Sequence, residues 1–471
     1  MKKNITKYIV LFLVVTVFNA CKVSKDIATP QAELPTNFRN TTVSDTSSIA
    51  DIKWKSFFTE TTLQKLIDSA IVRNYDMQIA LKNIEASELQ FKQTKWGNVP
   101  ELRLGVTANS NSPSENSLNG LSTSQFLGKS HVEDYNANLT LSWEADIWGK
   151  IRNQKKGALA TYLQTTEARK VIQTNIVSQV SQGYYNLLML DAQLAIAKKN
   201  LALNTNTLFI IKLQYDAGQV TSLSVQQAEA QQLVAAQLVP LLEQNIIIQE
   251  NALSILAGSL PTAVERTTDL DGIKIPENLS TGLPSAIVSR RPDVRSHELA
   301  LNIANAKVGI TKASMYPSLN ITASGGVNSF ESSNWFNIPA SLFGTVAGAV
   351  AQPLLQRKQL RTQYEIAKVE REKTVLQFRQ SVLIAVGEVS DALAKVEKLK
   401  SQLDFAQTRT TTLQKATTNA DLLFKNGMAN YLEVITAQSN VLQSELDLAS
   451  LKKQQLNAVV DLYRSLGGGW Q

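Results

Sequence analysis

The sequence holds a single cysteine, Cys21, so no disulfide can form within the chain. It has only two histidines, His131 and His297, too few for a histidine-rich metal site. Aromatic residues make up 7% of the 471 positions, a poor supply for large dry cores. Proline is absent between Pro113 and Pro240 and again after Pro353, so nothing in either stretch forces a helix to end. There is no phosphate-binding glycine loop, paired-histidine zinc motif or nucleophile elbow. His297-Glu298 lacks a second histidine four residues on and reads as a helix-surface pair. An enzyme therefore has little to stand on, and no cofactor is implied. The net charge of +7 includes Lys2, Lys3 and Lys7; without the first twenty residues it is +4, with the basic residues scattered. That is too mild and diffuse for a nucleic-acid partner.

The same twenty residues contain no acid. Behind the three lysines, residues 9–18 form an apolar run of ten, half the length needed to span a bilayer as a helix. The run ends at Asn19-Ala20-Cys21, which places the sole cysteine where a bacterial lipoprotein signal has it. Small Ala20 fits that pattern, whereas Phe18 departs from the usual aliphatic residue. We expect a signal peptide over 1–20, cleaved before an acylated Cys21; the alternative is a cysteine in a discarded segment. Either way the chain leaves the cytoplasm. Residues 21–55 carry Pro30, Pro35 and many Thr, Ser and Asn, and read as an extended tether.

What the chain has in abundance is itself. Asp76, Thr94-Lys95, Pro100 and Leu102 recur 217 positions later as Asp293, Thr311-Lys312, Pro317 and Leu319. Arg152, Gly218, Leu223, Val225, Ala228 and Gly258 recur at a shift of 209, as Arg361, Gly427, Leu432, Val434, Ala437 and Gly467. The drop of eight falls between Pro100 and Arg152, in a stretch of Ser, Asn and Gly. Spacing kept over dozens of residues is what a rigid helix requires, since one insertion rotates everything after it by about 100°. The two units are expected over 56–262 and 263–471.

Each unit predicts the same order of elements. A helix over about 63–95 breaks near Asn74, which can cap a new segment beside Asp76. After Pro100, Leu102, Leu104, Val106 and Ala108 alternate with polar residues as a strand with one apolar face. A polar loop follows, then a strand through Leu139, Leu141 and Trp143. The copy predicts strands through 319–328 and, more weakly, 342–350. Apolar residues at Ile176, Val180, Tyr184, Leu187, Leu190, Leu194, Ala197 and Leu201 then recur in steps of three and four, as do Val382, Val386, Val389, Leu393, Val396, Leu399 and Leu403. This is coiled-coil-like packing. A helix over about 150–215 would be on the order of 100 Å long. Each long helix ends at a glycine, Gly218 or Gly427, and a shorter helix returns. Four two-faced strands cannot close a membrane barrel, which needs at least eight, and open edges do not survive in lipid. Several chains must pool their strands, three giving twelve; the alternative is a soluble sheet packed on the helices.

Ser289-Arg290-Arg291-Pro292-Asp293-Val294-Arg295, followed by Tyr316-Pro317-Ser318-Leu319, resembles a signature of the outer-membrane efflux lipoproteins of the TolC superfamily, NodT branch. So do the residues of 142–152 (SWEADIWGKIR) and the C-terminal Leu466-Gly467-Gly468-Gly469-Trp470. The resemblance implies a mainly α-helical homotrimer with membrane β-structure. Four strands per chain would share a twelve-stranded β-barrel in outer-membrane lipid, continued by a periplasmic helical tunnel. It implies docking through the hairpin tips to a periplasmic adaptor, which links to an inner-membrane RND-type pump, the barrel component being a passive duct.

The resemblance makes the tips the working parts: Tyr215 to Gly218 in the first copy, Phe424 to Gly427 in the second. Relatives often place two aspartates just after the second tip as an acidic ring. Here Glu433 holds one such position and Thr436 the other. Glu433 is either that gate or an ordinary solvated carboxylate. Pro292 and Asp293 read as a helix start, with the arginines pairing locally. The function implied is an exit duct for small molecules or metal ions. The alternatives are a duct for protein secretion and, from another class, a structural trimeric coiled-coil stalk.

Overall fold

The computed structural model describes residues 48–276 and 279–471, with Pro35 and Phe38. The expected signal segment, Cys21 and most of the tether lie outside the described residues. After short helical turns over Ile49–Asp51 and Trp54–Phe57 come helices α1 (Thr61–Arg73) and α2 (Tyr75–Thr94). They part at Asn74, whose Oδ1 accepts from the N–H groups of Asp76 at 2.9 Å and Met77 at 3.3 Å. Then follow β1 (Glu101–Asn111), α3 (Leu118–Leu127), β2 (Val132–Ala145), α4 (Lys150–Asp216) and α5 (Ser222–Leu256). The second half runs α6 (Pro292–Ala313), β3 (Ser318–Ser329), β4 (Leu342–Ala351), α7 (Gln359–Lys425) and α8 (Tyr431–Ser465).

The hairpin helices of the two copies agree to the residue. α4 and α7 each have 67 residues, and α5 and α8 each have 35. The loop between β1 and β2 covers residues 112–131 and that between β3 and β4 only 330–341, so these loops hold the whole drop of eight. The longer loop is not the featureless polar segment expected, because it contains α3. Ser117 caps that helix, its Oγ accepting from Gly120 N–H at 3.0 Å, and Gly128 at φ +64° ends it.

The described chain forms two compact units, each drawing on both sequence repeats. The strand unit comprises residues 86–163 and 299–376. Its sheet has the order β1-β2-β3-β4, antiparallel throughout, with β1 and β4 as edges. Gly326 pairs with Asn138 and Phe343, and a Cβ there would lie 2.1 Å from the Ala137 carbonyl oxygen. Only glycine lets β2 and β3 approach so closely at that point.

The helical unit takes the described residues of 31–85, 164–298 and 377–471. Its core follows the expected ladders. Ile176, Val180, Tyr184 and Leu187 of α4 are buried with Val382, Ala385 and Val389 of α7, Leu63 and Ile67 of α1, and Val459 and Tyr463 of α8. Phe57 stacks on Tyr463 at 4.1 Å between ring centroids. No helix among the described residues is long and apolar enough to cross a membrane.

Gly326→Ala should disrupt the β2–β3 ladder and cost at least the ~1–3 kcal/mol of an overpacked site. Thermal melting checks this; an unchanged melting temperature would mean that β2 yields to make room.

Candidate functional site

The sheet register sorts side chains into two faces. Leu102, Leu104 and Val106 of β1 lie in rows with Leu141, Leu139 and Ala137 of β2. Those rows continue through Ala323, Gly325 and Val327 of β3 to Val346, Gly344 and Leu342 of β4. This apolar face is bare: Leu104 is 73% and Val346 83% exposed. An apolar surface of that extent marks contact with something apolar. The opposite face is polar and mostly uncharged. Asn138 Nδ2 donates to Asn136 Oδ1 at 2.6 Å, Thr140 Oγ1 to Asn138 Oδ1 at 3.1 Å, and Asn328 Nδ2 to Asp134 Oδ1 at 2.7 Å. The Ser324 and Thr345 hydroxyls lie 2.9 Å apart. Apolar outside and polar inside is the arrangement of a barrel wall in lipid.

Aromatic residues bound the apolar band. On β2, Tyr135 and Trp143 share the apolar face eight residues apart, about 26 Å along the strand or ~20 Å in height after tilt. Trp143 Nε1 donates to the Asn98 carbonyl at 2.9 Å, and below it Trp148 stacks on Tyr316 at 4.9 Å. At the other end Trp335 lies 5.4 Å from Tyr135, with Phe336 beside it at 4.9 Å. Such girdles sit at the two water–lipid interfaces of membrane barrels.

The helical unit holds both expected tips. Gly218 and Gly427 each have φ +71°, a left-handed backbone that suits glycine. In the first tip Gly218 N–H donates to the Tyr215 carbonyl at 2.9 Å and Gln219 N–H to that of Gln214 at 2.8 Å. The second repeats this with Gly427 to Phe424 at 3.0 Å and Met428 to Leu423 at 2.8 Å. The repeat-equivalent aromatics diverge: Tyr215 is 47% exposed and Phe424 only 6%. Phe424 packs with Ile211, Ala228 and Val434 in a small core that joins the two hairpins. The Tyr431 hydroxyl hydrogen-bonds to Gln227 across the same junction.

Glu433 is exposed on the third residue of α8 and already has a structural task. Its Oε2 accepts from the Asn430 N–H at 2.8 Å, while Asn430 Oδ1 accepts from the Glu433 N–H at 3.1 Å. This capping box satisfies two donors at the helix start. The Asn-x-x-Glu spacing announces it in the sequence, but the gate reading passed over it. Thr436 is exposed one turn further on. The Tyr431–Gln227 bond, 204 residues apart in the chain, had no sequence signal.

The Arg-Pro-Asp motif is a clasp within the helical unit. The Arg291 guanidinium holds Asp293 through Nε at 3.0 Å and Nη2 at 2.6 Å, and donates to the Ser465 carbonyl at 3.1 Å. Glu388 Oε2 completes an ion pair at 2.7 Å from Nη1, out of line for a hydrogen bond. The motif thereby joins the start of α6 to α7 and to the end of α8. Arg290 pairs with Asp51 at 2.8 Å, and the Trp470 indole N–H donates to the Arg290 carbonyl at 3.3 Å. Among the described residues no cluster of metal-ligating side chains occurs.

The sequence profile of the family described as "Outer membrane efflux protein" matches residues 66–259 and again 283–468. The chain is 27% identical over 472 residues to the cation efflux system protein CusC of Escherichia coli, covering 98% of each chain. It is 27% identical over 481 residues to the toluene efflux pump outer membrane protein TtgC of Pseudomonas putida, covering 98% of this chain and 95% of the other. The structure superposes on the Campylobacter jejuni CmeC outer membrane channel with a TM-score of 0.86, 95% coverage of both chains and 21% identity.

Burial opposes the charge on Asp293, but the hydrogen bonds and field of Arg291 outweigh it and hold the carboxyl below its ordinary 3.8. A depressed carboxyl contributes stability above its unfolded pKa and loses it as pH falls through the folded one. Stability should therefore fall as pH drops below about 4, and Asp293→Asn should flatten that dependence in melting curves. Arg291→Met should cost about 2–3 kcal/mol, less than a fully buried pair because the side chains of Asp293 and Glu388 are 38% and 34% exposed. Melting unchanged by either substitution would show that the clasp is dispensable.

Proposed function

The chain belongs to the outer membrane efflux protein family, and on that premise we propose that it works as a homotrimeric exit duct of a tripartite efflux pump. The observation that carries this reading is the four-stranded sheet with one apolar face, one polar face and two unpaired edges. In lipid every backbone group must find a partner, so β4 of one copy has to pair with β1 of the next. The strands number four and alternate in direction, so that junction is antiparallel and the pattern continues round a ring. Two copies would give eight strands, whose interior side chains fill; three give twelve and leave a water-filled bore. The helical unit supports repetition too, since Phe405, Leu383, Ile247 and Ile248 lie bare on it.

In this reading the duct is passive. Asn, Ser and Thr line the polar face of the sheet, groups that hydrogen-bond to water and to polar solutes alike. An inner-membrane RND-type pump therefore selects the small molecule or metal ion, and a periplasmic adaptor delivers it. The tips carry exposed Leu223, Met428 and Leu432 beside Tyr215, an apolar surface suited to the adaptor. Purified protein should form three-chain particles and open water-filled channels in planar bilayers. Ile321→Pro removes a ladder N–H from the central strand β3 and should abolish insertion. A folded, stable monomer in detergent would contradict the scheme.

At the narrow periplasmic end, three Glu433 side chains form the acidic gate, with Thr436 in place of a second tier. Glu433→Gln preserves the capping box, so folding stays intact while cation selectivity and divalent block weaken. Thr436→Asp strengthens both. Single-channel recording in mono- and divalent salts decides; identical behaviour of all three proteins would place Glu433 away from the tunnel axis.

A further inference from the structure

The two outer loops of the strand unit leave the sheet on opposite sides. Trp335 of the shorter loop packs beside Tyr135, which belongs to the apolar face. Helix α3 of the longer loop goes the other way. Its Asn119, Ser122 and Thr123 line one cleft with Asn109, Asn111 and Asp134, and those three sit at the end of the polar face. The helix packs closely on the start of its own loop. A Cβ at Gly120 would lie 2.1 Å from the Ser114 carbonyl oxygen, and both Gly120 and Thr123 are buried. Yet α3 leaves Leu118 81% and Phe126 86% exposed, with Leu121 half exposed. A polar bore is an odd place for bare leucine and phenylalanine, unless something apolar meets them.

On the trimeric-duct reading above, the polar face lines the bore, so α3 stands at its outer mouth. Twelve strands ~4.8 Å apart and tilted ~40° make a ring about 75 Å round and ~12 Å in radius. Three touching helices ~10 Å thick fill a circle of roughly 11 Å radius, and one ten-residue helix laid flat reaches about 15 Å. In either pose three copies meet near the axis. We infer that the α3 helices of three protomers converge there and form a hydrophobic constriction of Leu118, Leu121 and Phe126 at the outer mouth of the duct. The occupant of each bare helix face is the α3 of another copy of this chain. The constriction resists water and ions by dewetting and yields when apolar or bulky cargo is driven from the pump side. Helix α3 lies in the longer of the two loops, which has eight residues more than the other.

Phe126→Cys tests the convergence, with wild-type protein, whose only thiol is Cys21, as the blank. A short bis-maleimide should yield a covalent dimer on denaturing gels. Independently, Leu118→Ser with Phe126→Ser should roughly double single-channel conductance by wetting the constriction. The trimer is confirmed on the same samples by light scattering. Trimers without a cross-link and with unchanged conductance would overturn the constriction while leaving the duct intact, and would place α3 against the wall or in lipid. Particles that are not trimers would overturn the duct reading and this inference together.

Discussion

Everything in this chain depends on where the backbone hydrogen bonds of four strands go. Inside the sheet they are paired in three antiparallel ladders, but the outer edges of β1 and β4 have no strand partner among the described residues. In water such edges invite aggregation; in lipid they are untenable. The side chains rule out hiding the sheet in an ordinary core. Its apolar rows stay bare in the folded chain, and its other face is a network of amides and hydroxyls that wants water. Closure with further copies meets both demands at once. Membrane insertion, oligomerisation and the water-filled bore are then three aspects of one requirement.

The duplication explains how a long helical structure stays in phase. α4 and α7 match in length, as do α5 and α8, because a coiled-coil ladder tolerates no insertion without rotating its apolar stripe. Sequence freedom is left to the turns between elements. The loops after β1 and β3 differ by eight residues, and the tip aromatics Tyr215 and Phe424 take opposite fates. The repeat keeps the scaffold common and lets its two copies specialise where they face different surroundings.

Much of the fold was legible because it rests on periodicity. Steps of three and four located the buried faces of α4 and α7, alternation located the strands, and Asn74 announced the break between α1 and α2 as a cap. Helix α3 was missed because Ser, Gly and Asn dominate its neighbourhood. Its own signals, Ser117 as N-cap and Gly128 as terminator, were present and outweighed by composition. The candidate site was less legible. Gly218 and Gly427 were found because a left-handed residue demands glycine. The buried state of Phe424, the Tyr431–Gln227 bond and the reach of Arg291 to Glu388 all join segments that only folding brings together. Local patterns carry no information about such pairs.

In the proposed gate, Glu433 takes on two demands without conflict. As third residue of α8 it must accept from the Asn430 N–H, which fixes its carboxylate at the helix start. The same position is where the helix dipole is most positive, so a negative charge is held there at little cost. A charge needed at a tunnel end is thus most easily kept on a helix N-terminus, where the backbone already calls for it. Thr436, one turn later, would have no such backbone partner for a carboxylate. An acidic tier there would have to be held by its effect on the bore alone, against the repulsion of three neighbouring charges. That difference in local support is a physical reason for the proposed gate to rest on a single acidic tier.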